Sequence, residues 1–208
     1  MPPTLKIEQT FKGLVCGIDE VGRGPLAGPV IACSAIIKPT ALSHPSVNLI
    51  NDSKKISAKK RQKICSDIDD IAIYSLGQAT VEDIDTHNIF QATFLAMRRA
   101  YTNLCEQLDT PPIAALIDGK FTPNLPCQCL PVIKGDQKSL SIATASIIAK
   151  EHRDNLMHNL SRAHPHYGWE NNAGYGTKQH IQAINTHGIT PHHRKSFKPI
   201  SEVLSTTY

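Results

Sequence analysis

Five short apolar runs of strand length, separated by stretches of helical period, constrain this chain more than any other feature. They fall at residues 14–19, 30–37, 72–80, 113–118 and 130–133. The first two are joined across a turn rich in glycine and proline, 22–29, which reads as a tight connection between strands. Residues 38–53 are polar and proline-bearing, hence loop. Ser57 then caps a helix carrying Ile64, Ile68 and Ile71. Thr80 with Asp83 has the spacing of a capping box, and it opens a longer helix whose stripe of Phe90, Phe94, Met97, Tyr101, Leu104 and Leu108 predicts a core-facing side. Ser139 begins a helix with Ile142, Ala145, Ile148 and Ala149, and Thr177 caps another that stops at Gly188. The order strand, strand, helix, strand, helix, strand, strand, helix, helix predicts an α/β fold: a central mixed five-stranded sheet flanked by helices, with a helical C-terminal region.

Length and charge narrow the class of partner. A chain of 208 residues with 40% hydrophobic side chains suits one substantial core, so a single domain over 1–208 is expected. No apolar run approaches the length that spans a bilayer, and residues 1–13 lack the apolar centre of a secretory signal, which predicts a cytoplasmic protein. Cys16, Cys33, Cys65 and Cys105 lie in apolar, periodic segments, and Cys127 with Cys129 has no zinc spacing, so all six are expected as thiols. The net charge of +4 is unevenly placed. Residues 138–208 hold 8 of the 22 Lys and Arg but only 4 of the 18 Asp and Glu, together with 8 of the 10 histidines, leaving 14 of each sign in the body. A basic C-terminal third on a neutral body suits a polyanion, although an ordinary solvated basic face has the same composition.

Four acids stand where apolar runs end or just beyond: Asp19 and Glu20, Asp118, and Asp136. One such acid is usually a solvated boundary. Four of them, on strands whose C-terminal ends converge in an open α/β sheet, predict a shared crevice. Carboxylates gathered there repel one another and raise their pKa values, a strain that a bound divalent cation relieves. Oxygen-only ligation favours Mg²⁺ or Mn²⁺ over zinc. The chemistry predicted is metal-assisted hydrolysis of a phosphodiester, with Asp19 and Glu20 both reaching the site because the chain leaves regular strand geometry at that point.

Gly22, Arg23 and Gly24 follow the acid pair at once, and glycines flanking an arginine let the backbone approach a small group such as a ribose hydroxyl. The run GIDEVGRGPLAGPV at 17–30 closely resembles the signature of ribonuclease HII, the type 2 ribonucleases H. The resemblance continues in DSKKIS at 52–57, LIDG at 116–119, KGDQKSLSIATASIIAKEHRD at 134–154, GYGT at 174–177 and HRKSF at 193–197. It implies a ribonuclease H-like fold in one catalytic domain, with a basic helical segment from about 155 onward. It implies that Asp19, Glu20, Asp118 and Asp136 bind the catalytic Mg²⁺ or Mn²⁺. The implied activity is endonucleolytic: cleavage of the RNA strand of RNA/DNA hybrids, and nicking of duplex DNA 5′ to a single embedded ribonucleotide, leaving 3′-hydroxyl and 5′-phosphate, a role in ribonucleotide removal and DNA repair. It further implies that Gly22, Arg23 and Gly24 contact the 2′-hydroxyl, that Tyr175 packs on the neighbouring deoxyribose, and that Lys54 and Ser139 contact phosphate. A monomer is expected, with no protein partner identified.

One departure from the family pattern is Asn172 and Ala173, where a lysine often stands before GYGT. His164 with His166, and His192 with His193, sit in loops without helical ligand spacing, and are read as solvated or phosphate-facing. Two rival classes remain in view. An actin-like kinase or ATPase also uses an acid before a glycine turn, but needs a second lobe for which 208 residues leave little room. A silent nucleic-acid-binding module accounts for the basic third and leaves the carboxylates unexplained.

Overall fold

The computed structural model describes residues 2–51, 53 and 56–206. Its centre is a five-stranded mixed sheet in the order β3-β2-β1-β4-β5, formed by β1 (Val15–Val21), β2 (Val30–Ile37), β3 (Ala72–Ala79), β4 (Ala114–Asp118) and β5 (Gln128–Val132). β1 and β2 pair antiparallel across their short connection, β3 returns antiparallel to β2 after the helical excursion at 38–71, and β4 and β5 join parallel on the other side of β1. The order of elements is the one the apolar runs predict. Every polar start signal also acts locally as expected: Ser57, Thr80, Ser139 and Thr177 each accept the backbone N–H three residues on.

Two details depart from the sequence expectation. The loop at 38–53 contains two short 3-10 helices, Pro39–Ser43 and Pro45–Leu49, each started by a proline whose fixed φ suits a helical first turn. The helix after Ser57 breaks in two, α1 (Ala58–Ser66) and α2 (Ile68–Ile71), where Asp67 is drawn out of helical geometry. Its carboxylate accepts from Ser46 and Lys63.

One helix covers each face of the sheet. The long α3 (Val81–Cys105) packs Ala92, Ala96, Met97, Ala100, Tyr101 and Leu104 against Cys16 and Ile18 of β1. Asn88 adopts φ 65° inside it and accepts from the N–H groups of Phe90 and Gln91, an internal cap that restarts the helix. The opposite face takes α4 (Leu140–Ala163), which approaches so closely that a Cβ on Gly17 would lie 2.2 Å from the Ile142 nitrogen. Beyond α4 come α5 (Trp169–Asn172), α6 (Lys178–His187) and α7 (Ile200–Thr206), around a separate apolar cluster of Leu26, Met157, Tyr167, Trp169 and Ile184. All six cysteines are free thiols. Among the described residues no helix is long and apolar enough to cross a membrane.

Candidate active site

The alternation of β1 decides where the first two acids point. Asp19 and Glu20 do not lie where the strand loses regular geometry, as expected from the sequence, but within it, opposite Cys33 and Ala32 of β2. Pairing with β2 holds the chain in regular pleat through Val21, so the two side chains leave on opposite faces. Asp19, on the α4 side, is only 6% exposed. It accepts a hydrogen bond from Ser146 of α4, whose hydroxyl lies 2.9 Å from that of Ser53, and its Oδ1 accepts the Glu20 N–H at 2.7 Å. Glu20, on the α3 side, lines a cleft with Phe90, Phe94, Met97, Asp118 and Phe121, and pairs with Arg23 at 3.3 Å.

Asp118 ends β4. Because Ile18 lies opposite Ile117 in the parallel ladder, Asp19 and Asp118 are the next residues along two neighbouring strands. Asp118 Oδ1 accepts the Gly135 N–H at 2.7 Å, and a Cβ on Gly135 would fall 3.1 Å from that oxygen and 2.6 Å from Ile142. Only glycine allows so close an approach. The next residue, Asp136, occupies a 3-10 turn (Gly135–Gln137) that follows β5 and leads into α4. The sheet edge thus brings Asp19, Glu20 and Asp118 within reach of one another, and Asp136 follows directly on the Gly135 that Asp118 holds.

The electrostatics follow from that crowding. Burial first, then the Glu20 and Asp118 carboxylates, push the Asp19 carboxyl well above its ordinary range. Burial also raises Glu20, while the Arg23 guanidinium opposes the shift. Among the described residues no three Asp, Glu, His or Cys side chains are closed into a chelating group. Glu20 is turned toward Arg23, and Asp118 toward Gly135. The chemistry of the set still fits a hard divalent cation: the donors are all oxygen, and among the described residues only hydrogen bonds favour the ionised form of Asp19.

The glycine loop sits beside these acids. Gly22 has φ 93°, a conformation that L side chains avoid. Two buried arginines brace the loop from behind. Arg194 donates to the carbonyls of Gly22, Arg23 and Gly28, and Arg153 to those of Ala27, Pro29 and Ala173. Burial lowers their pKa values to about 9 and about 10, so both remain cations at neutral pH. Tyr175, 47% exposed, reaches across to Gly24: its Cε1 lies 3.4 Å from where a Cβ on that glycine would stand. Exposed Gly24 and Tyr175 therefore lie against each other, with exposed Arg23 and buried Gly22 next along the chain.

Other expected site residues are placed differently. Ser139 is fully buried as the cap of α4, and its hydroxyl donates to Glu8 at 2.6 Å, so it does not face a phosphate. Lys54 lies outside the described residues. Asn172 shapes the loop before Tyr175, donating to the Tyr167 carbonyl and accepting the Gly174 N–H. His193 is not solvated but fully buried against His180 and Trp169, while His164 and His192 pack ring to ring at 5.2 Å. For His192 and His193 the aromatic neighbours Tyr167 and Trp169 are far enough along the chain that no local pattern marks the packing. Arg153 and Arg194 stand inside the KEHRD and HRKSF motifs, yet nothing local distinguishes a buried arginine from a surface one. Phe90, expected in the core stripe, lines the cleft instead, with the 63% exposed Phe121 set edge-on to it, while Phe94 packs on the core as expected and also borders the cleft.

Comparison with solved structures assigns the architecture. Ribonuclease H2 from Pyrococcus horikoshii superposes with a TM-score of 0.76 at 22% identity, over 93% of this chain and 98% of that one. Bst-RNase HIII, solved in complex with Mn²⁺, gives a TM-score of 0.73 at 19% identity over 99% of this chain and 74% of the other. The chain has the ribonuclease H-like fold. A family model described as Ribonuclease HII matches residues 16–200, and ribonuclease HII from Paramagnetospirillum magneticum is 50% identical over 202 residues, 97% of this chain and 98% of that protein. The chain belongs to the ribonuclease HII family, and is an enzyme of the kind that hydrolyses RNA in RNA/DNA hybrids.

Proposed function

We propose that this enzyme nicks duplex DNA on the 5′ side of a single embedded ribonucleotide as well as cutting longer hybrids, and so serves ribonucleotide removal in DNA repair. The observation that carries this reading is the adjacency of two surfaces: the crowded acids at the sheet edge, and the Gly22–Arg23–Gly24 backbone closed over by Tyr175. The first suits phosphodiester hydrolysis and the second suits recognition of one sugar.

Asp19, Glu20, Asp118 and Asp136 would hold Mg²⁺ or Mn²⁺, in keeping with the divalent metals used across this family and with the Mn²⁺ complex of Bst-RNase HIII. Bound there, such ions supply an activated water and neutralise charge on the leaving oxygen, giving 3′-hydroxyl and 5′-phosphate products. The chain's own residues do the rest. Arg23, half-exposed, gives Glu20 a cationic partner. The Gly22–Gly24 backbone, without side-chain bulk at its glycines, meets the 2′-hydroxyl, and Arg194 orients that backbone by holding two of its carbonyls. Tyr175 packs on the deoxyribose that follows. Exposed Lys178 and Lys195, on the basic C-terminal segment, lend sequence-independent attraction for phosphate.

The test is a labelled DNA duplex with one ribonucleotide, incubated with Mg²⁺ with and without chelator, beside an all-DNA control. A metal-dependent nick 5′ to the ribonucleotide, absent from the control, is expected. A chain that cuts long hybrids but leaves this duplex intact would overturn the proposal.

A further inference from the structure

Tyr175 belongs to no regular element, yet its proposed role demands a fixed height above Gly24. Its backbone lies between α5 and α6, after two successive left-handed residues, Ala173 at φ 48° and Gly174 at φ 83°. The hydrogen bonds that hold this loop lead into a buried pair of histidines, and their proton positions follow from their neighbours alone.

The backbone N–H of Thr190 lies 2.9 Å from His193 Nδ1. An amide N–H only donates, so that ring nitrogen carries a lone pair and the neutral ring's proton sits on Nε2. His193 Nε2 is 3.1 Å from His180 Nε2 and must donate to it. The indole N–H of Trp169, also a donor only, meets the same His180 nitrogen at 3.1 Å. His180 Nε2 is therefore an acceptor, and the proton of His180 is on Nδ1, 2.9 Å from the Tyr175 carbonyl. Each bond runs one way: Thr190 to His193, His193 to His180, His180 to Tyr175. A second proton on either ring would oppose an existing donor, and both rings are fully buried.

The same short segment grips the other half of the sugar-facing surface. His192 and Arg194 exchange backbone hydrogen bonds with Gly28 and Leu26, Leu26 in turn donates to the Gly174 carbonyl, and the Arg194 side chain holds Gly22 and Arg23. Residues 190–194 thus connect Tyr175 on one side with the glycine loop on the other.

We propose that His180, oriented by His193, is a positioning residue for ribonucleotide recognition: its Nδ1–H holds the Tyr175 carbonyl and sets the gap between the Tyr175 ring and the Gly24 backbone. This rests on the reading of Gly22–Gly24 and Tyr175 as the sugar-recognising surface. His180 touches no substrate and acts only through Tyr175.

A double-mutant cycle on the full chain tests it, with kcat and KM measured on a duplex containing one ribonucleotide. His180→Leu removes the donor, whereas His180→Asn places an amide N–H where Nδ1–H stood. Loss of one buried hydrogen bond predicts that His180→Leu lowers kcat/KM about fivefold to tenfold, while His180→Asn retains most of it. In a Tyr175→Ala background, His180→Leu should have little further effect. Equal losses in both backgrounds, or an Asn variant as impaired as Leu, would overturn the positioning role. A Tyr175→Ala enzyme with unchanged kcat/KM would instead overturn the sugar-reading assignment beneath it. Imidazole ¹⁵N NMR of the unmutated chain at neutral pH gives a readout independent of activity. It should show His180 protonated at Nδ1 and His193 at Nε2, and the opposite tautomers would refute the hydrogen-bond chain.

Discussion

Acid should loosen this enzyme through His193 before it protonates an ordinary carboxylate. Burial, with His180, His192 and His164 nearby, lowers the His193 pKa from 6.5 to about 4. Below pH 6.5 the unfolded chain therefore binds a proton at this site that the folded chain refuses. Stability from His193 is complete above about pH 6.5 and declines as pH falls toward 4, by about 1.4 kcal/mol per unit in the steep region. Between pH 7.5 and pH 5 that amounts to about 2 kcal/mol. Buried Asp19 and Glu20 act in the opposite sense, because carboxyls with raised pKa values favour the folded state as pH falls. The quantity to measure is thus the difference between wild type and His193→Gln, by urea denaturation at several pH values in that interval. Wild type should lose about 2 kcal/mol more than the variant across it. Parallel loss in both proteins would show that His193 is not held neutral, and the hydrogen-bond chain to Tyr175 would fall with it.

Asp118→Asn keeps an oxygen for the Gly135 N–H, so it should fold normally, abolish metal-dependent cleavage and leave substrate binding largely intact, as read by paired activity and electrophoretic-shift assays. Mn²⁺ at a hundred times its Kd should raise the Tm of wild type by roughly 5–10 °C, and that of Asp118→Asn by much less, in a thermal melt. Arg194→Lys preserves charge but lacks the fork that spans three carbonyls. It should raise KM for the single-ribonucleotide duplex, and unchanged kinetics would exclude a role in shaping the glycine loop. Gly17→Ala forces a methyl against the Ile142 and Ser141 backbone, which cannot rotate aside, and should destabilise the fold by about 3 kcal/mol in denaturant titration.

Much of this was legible along the chain because it depends on near neighbours. The caps at Ser57, Thr80, Ser139 and Thr177 are local hydrogen bonds, and each starts its helix where the residue type indicates. Apolar runs located all five strands, since a strand buried in a covered sheet needs them. The four acids could be singled out because each ends or follows such a run. Phe90 kept the period of a core stripe yet lines the cleft, since period alone cannot say where the covering sheet stops.

What the amino-acid order determined by itself was the set of elements, the identity of the four carboxylates and the glycine loop beside two of them. Tertiary structure decided the rest. The β2 ladder runs through Asp19 and Glu20 and so sends them to opposite faces, a matter of pairing with residues more than ten positions away. Ser139 looked available for phosphate until the N-terminal segment brought Glu8 onto its hydroxyl. His193 read as solvated or phosphate-facing, and only folding buries it, together with His180, Arg153 and Arg194, behind the glycine loop and Tyr175. The partners of the two arginines are main-chain carbonyls, which every residue carries alike, so the sequence holds no mark of where those bonds will form.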